Sequence, residues 1–153
     1  MFHKIIVPVD GSDASNLALQ SALQLARESG GRVRLLHVVE EMAYLSGAGA
    51  FGGYSGDLVG IMRDAGAQVL QEAVALARQQ GVETESQLHD KFGERLSEVV
   101  AEAAATWGAD LVVVGTHGRR GMGRMLLGSG AEQIIRTAPV PVLVIRSPAE
   151  SGA

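Results

Sequence analysis

The sequence predicts an open, doubly wound α/β fold of five mainly parallel strands and about four helices. Three observations predict it. Short β-branched runs recur along the chain, nearly continuous in apolar character, as strands covered on both faces read. Segments with apolar residues at helical spacing lie between them. A stretch crowded with glycine and arginine, "GTHGRRGMGRMLLGSG" (Gly115 to Gly130), directly follows the run "DLVVV".

The first strand is "KIIVPV". Pro8 is odd in a central strand because it cannot donate to the ladder. It becomes tolerable where neighbouring strands splay apart, as they do where strand order reverses. Ser12 or Asp13 caps the helix that follows, Leu19, Ala22, Leu23 and Ala26 keep its apolar period, and Gly30 and Gly31 stop it. "RVRLLHVV" is the second strand. The segment "EEMAYLSGAGAFGGYSGD" (Glu40 to Asp57) then breaks the alternation and reads as a mobile loop over one end of the sheet. An excursion of that length is uncommon without a role, and its aromatic residues Tyr44, Phe51 and Tyr54 either pack on a ligand or pin the loop. Leu58, Ile61, Met62, Ala65 and Val69 mark the second helix, ended by Gly81. "VETESQL" alternates Val82, Thr84, Ser86 and Leu88 with Glu83, Glu85 and Gln87, the wetter pattern of an edge strand. Leu96, Val99, Val100, Ala103 and Trp107 mark the third helix, ended by Gly108. After "DLVVV" and the glycine stretch come a last helix, "AEQIIRTA", and a last strand, "PVLVIR". Right-handed crossovers connect the parallel strands.

At 153 residues the chain reads as one domain over 1–147 with a short tail at 148–153. A net charge of −4 argues against non-specific nucleic-acid binding. The absence of cysteine removes disulfides, thiolate metal sites and cysteine catalysis. "MFHKIIVPVD" turns polar too early for a signal peptide, and no run is long enough to span a bilayer, so a cytoplasmic protein without membrane partners is expected.

Ligands of an open parallel sheet bind beyond the C-terminal strand ends. Asp10 sits at the first of these, either accepting hydrogen bonds from a ligand or capping the turn into the helix, and the two roles are compatible. At the fourth strand end, Gly115 and Gly118 lack a Cβ that would hold off a phosphate chain. Glycine there and at Gly128 also permits φ > 0. Gly128, Ser129 and Gly130 come just before the last helix, whose free N–H groups and positive dipole end suit an anion. The stretch therefore makes sense as a phosphate cradle built mostly of backbone. "GRMLLGS" has the outline of a P-loop but lacks its lysine, no G-x-G-x-x-G is present, and neither a paired-histidine zinc motif nor a nucleophile elbow occurs.

The spacing Gly115-x2-Gly118-x9-Gly128-Ser129, followed by "APVPVLVIR", resembles the ATP-binding signature of the universal stress protein family. "IIVPVDGS", "LLHVV" and "ADLVVVGTHGRRG" resemble the same family in the same order, so the likeness runs from about Lys4 to Arg146. It implies a Rossmann-like sheet ordered 3-2-1-4-5 and a dimer joined through the strand Val140 to Ile145. It also implies bound ATP with magnesium or manganese carried by the phosphates. Pro8, Val9 and Asp10 would border the adenosine half and Val38 would line the adenine pocket. Gly115, Thr116, Gly118, Gly128, Ser129 and Gly130 would follow the ribose and phosphates. Gly130 departs from the family, where valine is more usual; the backbone donor remains.

Other polar residues carry weaker signals. His117 either touches phosphate or metal or simply lies exposed in the loop. Arg119, Arg120 and Arg124 either neutralise phosphate or are solvated, with Arg119 kept among the candidate ATP contacts. His37 reads as a hydrogen-bonded residue near a strand end, and His3 and His89 as surface residues. Met122, Met125, Leu126 and Leu127 read as packing for the loop. The expectation is an ATP-binding stress-response protein that senses or regulates with at most slow hydrolysis and no catalytic residues. The alternatives are an ATP-cleaving enzyme of the pyrophosphatase or ligase type and a dimeric adaptor that binds no nucleotide.

Overall fold

The computed structural model describes residues 1–39, 55–91, 93–116 and 128–147. Within them, β1 (Lys4–Pro8), β2 (Arg32–Val38), β3 (Glu83–His89), β4 (Leu111–Gly115) and β5 (Val142–Ile145) form one parallel sheet in the order β3-β2-β1-β4-β5. Helices α1 (Asp13–Ser29), α2 (Ser55–Gln79), α3 (Leu96–Trp107) and α4 (Ser129–Thr137) supply the covering layers. Fold class and strand order are those the sequence predicts.

Each central strand is apolar on both sides because both sides are covered. Ile5 and Val7 of β1 join Leu19 and Leu23 of α1 and Leu70 and Ala73 of α2 in one core. Ile6, between them, joins Val99 and Val100 of α3 and Ile134 of α4 in the other. Successive side chains of a strand point to opposite faces, so the two cores draw on alternate residues. Ser12 is the N-cap of α1, its hydroxyl accepting from the Ser15 N–H at 3.2 Å. Gly30 and Gly108 close α1 and α3 at φ +71° and +74°, a left-handed conformation that favours glycine.

The anomaly at Pro8 resolves at the sheet's switch point. The β1–β2 ladder runs to the pair Pro8 and Leu36, and the Val9 N–H then donates to the Leu36 C=O at 2.8 Å. On its other side β1 pairs with β4 only through Ile5 and Ile6. Backbone groups alternate sides along a strand, so the N–H that proline lacks would point toward β4, beyond the last rung.

Two expectations need correction, and α2 reaches further than the sheet it covers. Helix α2 already begins at Ser55, so the segment read as a loop to Asp57 ends in helix. Its N-terminal apolar stripe is not core: Ile61 is 63% exposed and Ala65 is exposed, while Gly66, Leu70, Ala73 and Ala77 are buried. The reason is length. The 25 residues of α2 span ~37 Å, whereas the seven of β2 span ~23 Å, so the first turns overhang the strand ends. His89 is not a surface residue. Pairing of β3 with β2 continues up to His89 itself, its side chain is 13% exposed, and its Nε2 lies 3.5 Å from Glu94 Oε2 without a hydrogen bond. His3 is exposed as expected.

Candidate functional site

The tips of β1, β2 and β4 open into one cavity of 540 Å³, within the ~300–1,000 Å³ common for small-molecule sites. Pro8, Val9 and Asp10 enter it from β1 and the turn beyond; Leu36, His37, Val38 and Val39 enter from β2. Val114, Gly115 and Thr116 contribute the β4 tip, and Gly128, Ser129, Gly130, Ala131 and Ile134 come from the start of α4. The sequence-predicted residues Pro8, Val9, Asp10, Val38, Gly115, Thr116, Gly128, Ser129 and Gly130 are thus brought together around one space. Gly118 and Arg119 lie outside the described residues, as do Tyr44, Phe51, Tyr54, His117, Arg120, Arg124 and the Met122 to Leu127 cluster.

Asp10 is held by its own turn. Its Oδ1 accepts from the Ser12 N–H at 2.8 Å, and its N–H donates to Ser15 Oγ at 3.1 Å. Among the described residues its second carboxylate oxygen has no partner, so the turn and a ligand contact are compatible.

The anion end of the cavity is the first turn of α4. Gly128 is the N-cap, without a side-chain cap; its N–H donates to the Thr116 C=O and its C=O accepts from the Glu132 N–H. That leaves the N–H groups of Ser129, Gly130 and Ala131 without intrahelical partners at the cavity wall, at the positive end of the helix dipole. The helix starts at Ser129, so Ser129 and Gly130 belong to its first turn rather than preceding it. Gly128 adopts φ −61° and ψ 152°, open to any residue, so the expected need for positive φ is absent there. Thr116 ties this corner to β5: its N–H donates to the Ile145 C=O at 3.0 Å and its Oγ1 accepts from the Ser147 N–H at 3.3 Å.

Gly115 reaches the cavity through its backbone. A Cβ there would stand 2.6 Å from the Ala14 carbonyl oxygen, so the missing side chain makes room for α1, not for a ligand. His37 is hydrogen-bonded as expected, its Nδ1 2.7 Å from the Val9 C=O. A carbonyl oxygen can only accept, so Nδ1 donates in this bond and carries the proton.

The sequence model of the universal stress protein family matches residues 1–146. The chain belongs to the universal stress protein family. It is 34% identical over 149 residues to universal stress protein MJ0531 of Methanocaldococcus jannaschii, covering 97% of this chain and 84% of that one. Among solved structures, a universal stress protein of Archaeoglobus fulgidus in complex with dAMP superposes with a TM-score of 0.69 at 24% identity, covering 94% and 98% of the two chains. A universal stress protein in complex with cAMP superposes with a TM-score of 0.68 at 24% identity over 96% and 99%. At that identity the two structures establish the shared fold.

One wall of the cavity escaped sequence reasoning. Met62, Ala65, Gly66 and Val69, where α2 passes the tip of β2, close another side of the cavity. Their spacing marks an apolar helix face, which reads as core. The signal that distinguishes them is length: a helix much longer than its strands must leave the sheet.

Proposed function

We propose that this universal stress protein binds ATP across the cavity and acts as a stress-linked nucleotide sensor or regulator, as a cytoplasmic dimer, with little or no turnover. The observation that carries the reading is the α4 N-terminus. Three backbone N–H groups of one helix turn, without partners among the described residues, stand in a cavity whose other end is an apolar slot between β2 and α2. Phosphates belong at the first and an aromatic base in the second; the adenine nucleotides in the two related complexes support the choice of base. Asp10 lines the same cavity, and its second carboxylate oxygen, without a partner among the described residues, suits a ribose hydroxyl. Among the described residues no three acidic or histidine side chains converge, so magnesium or manganese would be held by the phosphates.

Charge stabilisation already present in bound ATP lowers the ground and transition states together, which gives affinity without rate. Hydrolysis needs in addition a group that aligns water with the γ-phosphate. Asp10, on the adenosine side, is placed wrongly for that.

Calorimetric titration with ATP and magnesium tests the binding. Gly128→Val is compatible with the backbone at this position and puts a branched side chain beside the helix start. It should abolish binding while the circular dichroism of the fold persists. Unchanged affinity in that variant would rule out the α4 end as the phosphate site, and no binding by the native chain would favour the adaptor. Single-turnover phosphate release should be far slower than the ~1–10³ per second of ordinary enzymes. Release at several per second would make the protein an ATP-cleaving enzyme.

A further inference from the structure

The β1–β2 ladder stops one rung early. The Val9 N–H donates to the Leu36 C=O at 2.8 Å, and the Val39 N–H donates to the His89 C=O at 2.9 Å. Even-numbered residues at the end of β2 therefore present their amide groups toward β1 and odd-numbered ones toward β3. The next rung would be the Val38 N–H to the Val9 C=O. Among the described residues it is not made: the Val9 C=O is occupied by His37 Nδ1 at 2.7 Å instead. Val38 is left 8% exposed at the cavity, and among the described residues its backbone donor and acceptor have no partner on the β1 side. Buried backbone groups are seldom left so, and a pair of them at the mouth of an apolar slot is a ligand-reading edge.

The imidazole is held from behind by a notch in α2. A Cβ on Gly66 would meet His37 Cδ2 at 2.5 Å and Nε2 at 2.8 Å, and Leu88 Cδ1 at 3.1 Å. Gly66 lies mid-helix, where glycine costs stability relative to alanine, and close approach of the ring is the compensating reason for it.

We infer that His37, seated in the Gly66 notch and bonded to the Val9 carbonyl, is a positioning residue that keeps this rung open so that the Val38 amide reads the base in place of the sheet. The inference rests on the adenosine reading of the cavity and adds what prepares the slot. An adjacent N–H and C=O match the acceptor and amino donor side by side on adenine's Watson–Crick edge; guanine offers the reverse order there. His37 itself contacts protein, not base. It prevents the strand from satisfying itself before the ligand arrives.

The test is hydrogen exchange of the Val38 amide, followed by NMR on the full chain without nucleotide, together with calorimetric ATP affinity. In the native protein the Val38 amide should exchange freely and become protected when ATP is added. His37→Leu removes the competing donor, so the rung should close and the amide should become protected without ligand. Gly66→Ala should do the same by displacing the ring, while a better helix former guards against loss of fold. His37→Gln keeps a donor for the Val9 carbonyl and should restore the native pattern. Losing two neutral hydrogen bonds to the base should weaken ATP binding about ten- to hundredfold in His37→Leu and Gly66→Ala. A Val38 amide equally exchangeable in all four proteins, or already protected in the native one, overturns the inference whatever the affinities. If His37→Leu does not fold, the exchange in Gly66→Ala decides alone. Failure of the native chain to bind ATP would instead refute the proposed function, and the exchange pattern would still decide the state of the rung.

Discussion

Gly115 and Gly130 stand at the two ends of one glycine-rich stretch, and the fold requires only the first. At Gly115 a methyl group would be driven into the backbone of Ala14 at 2.6 Å, an overpacking of the kind that costs ~1–3 kcal/mol. At Gly130 the nearest heavy atom to an added Cβ is Leu96 Cδ2 at 3.4 Å, ordinary contact within the first turn of a helix. Gly115→Ala should therefore destabilise, and Gly130→Ala should stabilise by ~0.5–1 kcal/mol, because alanine loses less conformational freedom. Urea unfolding of the two variants checks both signs, and Gly130→Ala should bind ATP as the native chain does, since its N–H is kept. This contrast was invisible in the sequence, where both residues read as parts of one phosphate cradle. Asp10 and Pro8 were more legible, because their chemistry is local: a carboxylate two residues before a helix cap and an imino acid in a strand each need an explanation at their own position. The partners of Gly115, Gly66 and His37 lie on other elements, and no spacing rule reaches them.

Among the elements, the strands were the easiest to read and α2 the hardest. A strand covered on both faces is marked by composition alone, and the cap of α1 and the glycine stops of α1 and α3 are marked by residue type. Hydrophobic period says which face of a helix is apolar without saying what covers it, and α2 carries one stripe across two environments. Leu70 is 6% exposed in the core with β1 and α1, whereas Ile61, further up the helix, is 63% exposed. Leu70→Ala should cost ~2–5 kcal/mol as a core truncation. Ile61→Ser should change stability by about 0.5 kcal/mol or less, as surface substitutions do. Thermal or denaturant unfolding separates the two. A large loss at Ile61 would mean that its face is covered in solution.

For the molecule as a whole, the two edges of the sheet are managed in opposite ways. The β3 edge is guarded by charge: Glu83 and Glu85 are exposed and pair with Arg32 and Arg34 of β2 at 3.8 and 3.3 Å. The β5 edge has no such guard, since Ala138 to Ile145 contains no charged residue and Leu143 is 37% exposed. An apolar, uncharged edge invites a second strand. The ladder identifies which groups are on offer. The Val112 N–H donates to the Pro141 C=O and the Thr116 N–H to the Ile145 C=O, so odd-numbered residues of β5 serve β4. Val142 and Val144 therefore turn their N–H and C=O groups outward. Antiparallel pairing of this strand with its counterpart in a second copy would use those groups, which is the dimer proposed above. Val144→Pro isolates the contact. Proline removes only the outward N–H, leaves every bond to β4 in place, and is tolerated on an edge strand. The native chain should run as a dimer by light scattering. The variant should run as a monomer with unchanged circular dichroism and should still bind ATP, because no residue of β5 lines the cavity. A Val144→Pro protein that remains fully dimeric would move the interface elsewhere.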